Sequence, residues 1–544
     1  MAQASTDALN SISNQLLDFI WSSNPVEATT IGVHDYDQTF GDLSLEVLKY
    51  RSRRFRQFTS DLISKVELCD LDPHELMQYE LCMTLSGRGA IRADCERAWE
   101  QDPSWYAQLA VWGCASICLR DFAPIEERLS LMLSRMREIP QLFVQARRNI
   151  SKPHNLFVST ANEILNNGVS FFEEVVPGFA FTVPELQEDL LNAAGNAVEA
   201  LRLFSDWLRR HVSPLEDQSY AIGRDSYQQL LYSEHRLTCT ASELLALAYR
   251  SLEDAEEEIR DLAFQIDPNV TWKELVEGLD YDCPTMDMLL DTYRFATDSA
   301  KHFVIDHQLV TIPESSSLDV SWTPEAARSA IPYAACFPPV PFGQDKRGEL
   351  WISPPSYTAP DWVQRAQLQG HCIHQIPIIA LHEGYPGHYL QIATQIGTTS
   401  PLAKQMCSSI FTEGWASYCE YMMGEQGFYI SPEVRLSCLR NMLSEAARVI
   451  VDVGVHAEGM SLDDAANFLV DRACFQMANA VAEVRRCVQQ GAQSITNLAG
   501  RMLILDIRHR MKLTLGHDFD LKSFHDKLLS YGAIPPSIIA KDML

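Results

Sequence analysis

Through most of the first three hundred residues, apolar positions recur three and four apart, the spacing that gathers them on one face of an α-helix. Leu48, Phe55, Phe58 and Leu62 form one such stripe, and Arg51, Arg53, Arg54 and Arg56 fall mostly off it, so this basic cluster reads as solvated surface. From Ser242 to Gln265 the stripe is Leu244, Leu245, Ala248, Leu252, Ala255, Ile259 and Leu262, with the acidic residues from Glu253 to Glu258 as the wet face. Asp72-Pro73-His74-Glu75 predicts a helix start, because the aspartate and glutamate satisfy free amide donors and proline fits the first helical position.

The pattern changes between about Thr311 and Pro360, where prolines cluster and short β-type runs appear. Residues 330–339 and 348–353 flank the polar turn Gly343–Gly348, which predicts a hairpin whose prolines confine its strands to an edge. An extended substrate would bind such an edge by strand addition. Helices resume at about Asp361, and Tyr531-Gly532-Ala533-Ile534-Pro535-Pro536 closes the last one. The expected fold is mainly α: a large helical body with a deep cleft and a small edge β-hairpin. It is expected to comprise an N-terminal helical half, residues 1–310, and a C-terminal half, residues 311–544, interlocked as one unit.

Charge narrows the function classes. Among 544 residues, 44 Lys+Arg face 72 Asp+Glu, a formal charge of −28, and no basic run is present that would neutralise phosphates. Nucleic acid and anionic membrane are therefore poor partners. The 14 cysteines are scattered with no C-x-x-C, and the N-terminus lacks the basic and apolar regions of a leader, so a reduced chain in the cytoplasm is expected.

One segment carries chemistry: Ile379-Ala380-Leu381-His382-Glu383-Gly384-Tyr385-Pro386-Gly387-His388-Tyr389-Leu390-Gln391. A His-Glu pair ending an apolar helical run, with a second histidine soon after, resembles the H-E-x-x-H of zinc peptidases. Here, however, the second histidine is six residues on, about 120° around an unbroken helix from the first. Pro386 and Gly387 offer a break that would loop His388 back beside His382. The plainer reading is a chance pairing before an ordinary helix end. A third ligand candidate follows in Phe411-Thr412-Glu413-Gly414-Trp415-Ala416-Ser417-Tyr418-Cys419-Glu420-Tyr421-Met422, where Glu413 and Glu420 share a face and Phe411, Trp415, Tyr418 and Met422 form the packing stripe. A carboxylate in so apolar an element needs a partner, either a metal or an arginine from the C-terminal helices.

Together, His382-Glu383-Gly384-Tyr385-Pro386-Gly387-His388 and Glu413-Gly414-Trp415-Ala416 resemble the signature of the "domain of unknown function 885" proteins, which are zincin-like and mainly helical. Residues 25–37, the Arg347-Gly348 turn and Gly500 through Arg508 fit the same family, so the resemblance spans nearly the whole chain. It implies a metallopeptidase-like site in which His382, His388 and Glu413 hold Zn2+ and Glu383 is the general base. Tyr385, Tyr418, Glu420, Arg347, Arg486, Gln493 and Asn497 are candidates for supporting the ligands or contacting substrate. One departure stands out: the family's Arg-Tyr, Pro-Gly-Gln and Tyr before Gly are here Arg486-Cys487, Gly491-Ala492-Gln493 and Asn497 before Gly500. A missing tyrosine removes a candidate oxyanion donor, although Asn497 can also donate. His371 and His374 are either supporting residues, a further metal site or ordinary core and surface histidines, and Cys372 and Cys419 read as buried thiols.

The resulting expectation is a zinc-dependent hydrolase of peptide or peptide-like amide bonds, with a peptide or small amide as partner and neither nucleic acid nor membrane. Its rivals are a zinc enzyme acting on a C–N bond of a specialised small molecule, and a non-catalytic scaffold of the same fold. Oligomeric state is left open.

Overall fold

The computed structural model describes residues 2–93, 97–212, 220–324, 327–328, 331, 333–356 and 359–544. The fold is mainly α-helical, with one three-stranded sheet among the described residues, and divides into two compact units, residues 1–220 and 221–544. The expected boundary near residue 310 falls inside the second unit. Composition changes near residue 310, but the sheet that begins there packs on the helix Met286–Asp306 just before it.

The first unit is built as the apolar periodicity predicts. Leu48, Phe55, Phe58 and Leu62 are all buried along the helix Leu45–Lys65. Asp72 and Glu75 form a reciprocal capping box at the start of Pro73–Ile91. The segment 25–37 is structural. Thr29 donates to Asp37, and the buried Arg135 guanidinium reaches the Thr29 hydroxyl (2.7 Å) and the Gly113 carbonyl (2.6 Å), with Asp37 3.6 Å away. A charge held so far from water needs this many partners.

In the second unit, the sheet order is β1 (Ser317–Trp322), β3 (Arg347–Ile352), β2 (Ala334–Phe337). Strands β2 and β3 run antiparallel as the expected hairpin does, but β3 is the central strand, because β1 pairs with it in parallel. Only β2 and β1 are edges. Leu350 and Ile352 pack against Ile376 and Ala380 and against Leu289 and Tyr293, which fixes the sheet to the helix bearing the motif.

Two further expectations need correction. The helix Ala241–Ile266 buries Leu244, Ala248, Leu252, Ala255 and Ile259 of its predicted stripe and leaves Leu245 and Leu262 half-buried, yet Glu256 on the expected wet face is also buried, because Arg260 and Arg472 neutralise it. Tyr531 to Pro536 does not close the last helix: Pro535 and Pro536 start another, Pro536–Met543, since proline suits a first turn as well as a stop.

Candidate metal centre

The motif helix Ile376–Glu383 starts at a proline in its first turn and runs through Ile378, Ala380 and Leu381, all buried. It ends at Gly384, whose φ of −107° and ψ of −104° leave the helical region. A cis Tyr385-Pro386 bond and Gly387 (φ −73°, ψ −133°) follow, and a new helix, His388–Gln395, begins. The Gly387 amide donates to the Leu381 carbonyl at 3.0 Å, so the chain folds back over the turn it has just left. Gly387 is required for space and not for a positive φ: a Cβ there would lie 1.9 Å from the His382 carbonyl oxygen. Two side chains of the helix Ser409–Glu425 hold the break, Trp415 donating its indole N–H to the Pro386 carbonyl at 2.8 Å and the Cys419 thiol at 3.7 Å. The imidazoles of His382 and His388 consequently meet, their centroids 4.8 Å apart and their planes at 84°.

Glu413 comes from the Ser409–Glu425 helix, which lies unusually close to Thr496–Leu515. A Cβ on Gly500 would stand 2.0 Å from the Ile410 carbonyl oxygen, and one on Gly414 would stand 2.5 Å from the Gly500 backbone. This approach brings the Asn497 amide to Glu413 Oε2 at 3.2 Å. Glu413 Oε2 is 3.8 Å from His388 Nε2, and one donor atom from each of His382, His388 and Glu413 lies within 4.8 Å of the other two.

Glu420, two turns beyond Glu413 on the same face, accepts from His382 Nδ1 at 2.6 Å, and its other oxygen accepts from Asn441 at 3.2 Å. With Nδ1 committed to a carboxylate, Nε2 is the nitrogen left to bind a metal, an arrangement typical of metal-ligating histidines. Burial by itself would lower the His382 pKa, but the Glu420 hydrogen bond and charge, with the charges of Glu383 and Glu413, raise it to about 10. Burial pushes the Glu413 carboxyl up, and His388, His382, Asn497 and Arg486 more than reverse this. Two imidazoles thus stand among three carboxylates, a donor set that could hold a metal cation. The nitrogen and oxygen donors, one carboxylate held by an amide and one imidazole held by a carboxylate, suit zinc.

Glu383 is outside the converging three. Its Oε2 accepts the backbone N–H of Cys336 on β2 at 2.9 Å, which tethers it to the edge strand. Asn497 donates to Glu413 instead of standing free as the expected oxyanion donor. Arg486 is paired with Glu483 at 2.5 Å and adds positive charge near Glu413, while Gln493 accepts from Ser409 at the start of the Glu413 helix. Tyr385 is buried with its ring against Tyr389 and near Lys301 Nζ, and so gives a substrate little surface. Tyr418 is buried too, bonded to His525 at 2.7 Å and reached by Arg508. Arg347 is exposed and paired with Asp345. His371 is a core residue between Tyr293 and the Ser353 carbonyl, and His374 pairs with Asp282. Asn441, which follows Arg440 on the helix Pro432–Ala457, and the hold of the Trp415 indole on the break carry no local mark in the sequence.

Comparison with known proteins gives a family and a fold. No curated protein matches the chain. Several solved structures do, among them the following two. One is described as "a putative lipoprotein of unknown function" from Shewanella oneidensis, with a TM-score of 0.81 and 24% identity, covering 98% of this chain and 99% of that one. The other is "the putative lipoprotein" from Colwellia psychrerythraea, with a TM-score of 0.82 and 16% identity, covering 99% and 98%. These likenesses establish the shared fold. The family model described as "Bacterial protein of unknown function (DUF885)" matches residues 25–543, and the chain therefore belongs to that family.

Proposed function

We propose that this protein is a zinc-dependent hydrolase of peptide or peptide-like amide bonds, with His382, His388 and Glu413 as zinc ligands and Glu383 as general base. The observation that carries the reading is the backbone reversal at Gly384 to Gly387, which brings together two histidines that a continuous helix would hold apart, beside a carboxylate from a second helix. Bound there, zinc supplies the Lewis acidity that amide hydrolysis at neutral pH needs. The protein's own groups do the rest. Glu420 and Asn497 orient His382 and Glu413. Glu383 follows a ligand directly, and the Cys336 N–H holds one of its oxygens while the other is left to take a proton from the attacking water. Because that N–H belongs to the edge strand β2, an extended substrate laid along β2 would present its scissile amide next to Glu383.

Glu383→Gln tests the role. It preserves shape while removing the base, so metal content should stay and turnover should fall by roughly two to four orders of magnitude. The assay is digestion of a mixed-peptide library with small amides and modified amino acids included, read by mass spectrometry, alongside metal analysis of wild type and variant. Full turnover by the variant with its metal retained would eliminate Glu383 as base. No cleavage by the metal-loaded wild type on any of these substrates would favour the scaffold reading.

Location follows a different line. Among the described residues no helix is long and apolar enough to cross a membrane. Both of these structures are described as a "putative lipoprotein", which speaks against the cytoplasmic expectation.

A further inference from the structure

The second unit contains another set of converging donors that the hydrolase mechanism does not use. Asp452 and His456 stand one turn apart on the helix Pro432–Ala457, and Cys487 lies on Met477–Gln489. One donor atom from each is within 4.8 Å of the other two, and all three residues are at most 1% exposed.

Their hydrogen bonds leave donor capacity unused. Asp452 Oδ1 accepts from the Tyr227 hydroxyl (2.7 Å) and the Ala492 amide (3.0 Å), and Oδ2 accepts from the Ser494 amide (3.2 Å). A carboxylate offers about four acceptor positions, so one remains. His456 bonds the Cys487 carbonyl oxygen through Nε2 at 3.0 Å, and a carbonyl only accepts, so Nε2 carries the proton and Nδ1 the lone pair. Nδ1 is buried and has no hydrogen-bond partner. A buried acceptor in that state calls for an occupant. The arrangement is not a Cys-His-Asp nucleophile, because the imidazole proton goes to the Cys487 carbonyl and not between thiol and carboxylate, and the residues are sealed from any substrate.

We propose that Asp452, His456 and Cys487 form a structural site for a zinc-like divalent cation. An ionised aspartate and a cysteine thiolate cancel the charge of a divalent ion, which a buried site demands, and the thiolate and imidazole select zinc over magnesium or calcium. The ion would tie the helix that carries Asn441, the partner of Glu420, to the helix Met477–Gln489 and to the turn from Gly491 to Ser494 that leads to Asn497, the partner of Glu413.

The full chain, stripped of metal and reloaded with zinc or cobalt, tests this. Elemental analysis should find two ions per wild-type chain and one in the His382→Ala/His388→Ala double variant. The cobalt form of that variant should keep a thiolate-to-cobalt charge-transfer band, because the three ligands of the first centre include no sulfur, and Cys487→Ser should abolish the band. A double variant without metal, or a cobalt-loaded wild type without the band, overturns the proposal. The wild-type spectrum decides even if Cys487→Ser fails to fold. One ion retained in the double variant when wild type also holds only one would uphold this site and remove the first.

Discussion

His382 is directed by what its far nitrogen touches. Glu420 accepts the Nδ1 proton at 2.6 Å and is itself fixed by Asn441, so the ring presents Nε2 to His388 and Glu413. Replacing Glu420 by glutamine keeps an acceptor but removes the charge that makes the imidazole a better donor. Zinc affinity should fall about 10- to 100-fold, measured by competition with a chromophoric chelator. Equal affinity in the two proteins would show that Glu420 only packs. Much of this was legible in the chain, since Glu413 and Glu420 sit seven apart in an apolar helix, a spacing that places both on the face opposite the Trp415 stripe. Asn441 was not legible, because its contact joins separate helices and nothing local marks it. Asn497 was recognised as a candidate, but its task could be read only once the Gly414–Gly500 approach placed it against Glu413.

At the level of elements, glycines set the two distances on which the centre depends. Gly387 lets the reversal close onto the motif helix, and an alanine Cβ would collide with the His382 carbonyl, a backbone atom that cannot step aside. Gly387→Ala should therefore open the reversal, draw His388 away and weaken zinc binding by at least about tenfold, while the first unit keeps its structure. Zinc titration by calorimetry checks it, and an unaltered affinity would mean that the reversal does not set the ligand geometry. At Gly500 the effect is on helix spacing. Gly500→Ala must push the paired helices apart at the Ile410 carbonyl, at a cost of about 1–3 kcal/mol as in other overpacked interiors, seen as a lower urea midpoint with unchanged slope. A midpoint equal to wild type would show that the helices have room to move. The helices were readable from their apolar period, but the sheet was only partly readable. Leu318, Val320 and Trp322 alternate with polar residues in β1, a period-two signal masked by the short run, and its parallel pairing with β3 crosses more than twenty residues that hold no local hint of it.

On the scale of the whole molecule, the sequence described a strongly acidic chain, but the pH response depends on the few groups that folding buries, which composition does not identify. His525 donates Nδ1–H to the Leu309 carbonyl and accepts from the Tyr418 hydroxyl, and His371 is enclosed by Tyr293 and Ser353. Burial lowers each from 6.5 to about 4. Both are thus neutral when folded and protonate more readily when unfolded, so their contribution is complete above about pH 6.5 and is lost as pH falls from there towards 4. At pH 5 the loss is about 2 kcal/mol for each histidine, the unfolded chain taking up protons that the folded one refuses. His525→Gln retains a donor and an acceptor but has no such proton to take up. Compared by urea unfolding at pH 7 and pH 5, the variant should lose about 2 kcal/mol less than wild type between the two. The comparison cancels the carboxylates common to both proteins, so an equal loss would mean that His525 is already charged in the fold, and the buried Tyr418–His525–Leu309 chain of hydrogen bonds would have to be redrawn with its proton elsewhere.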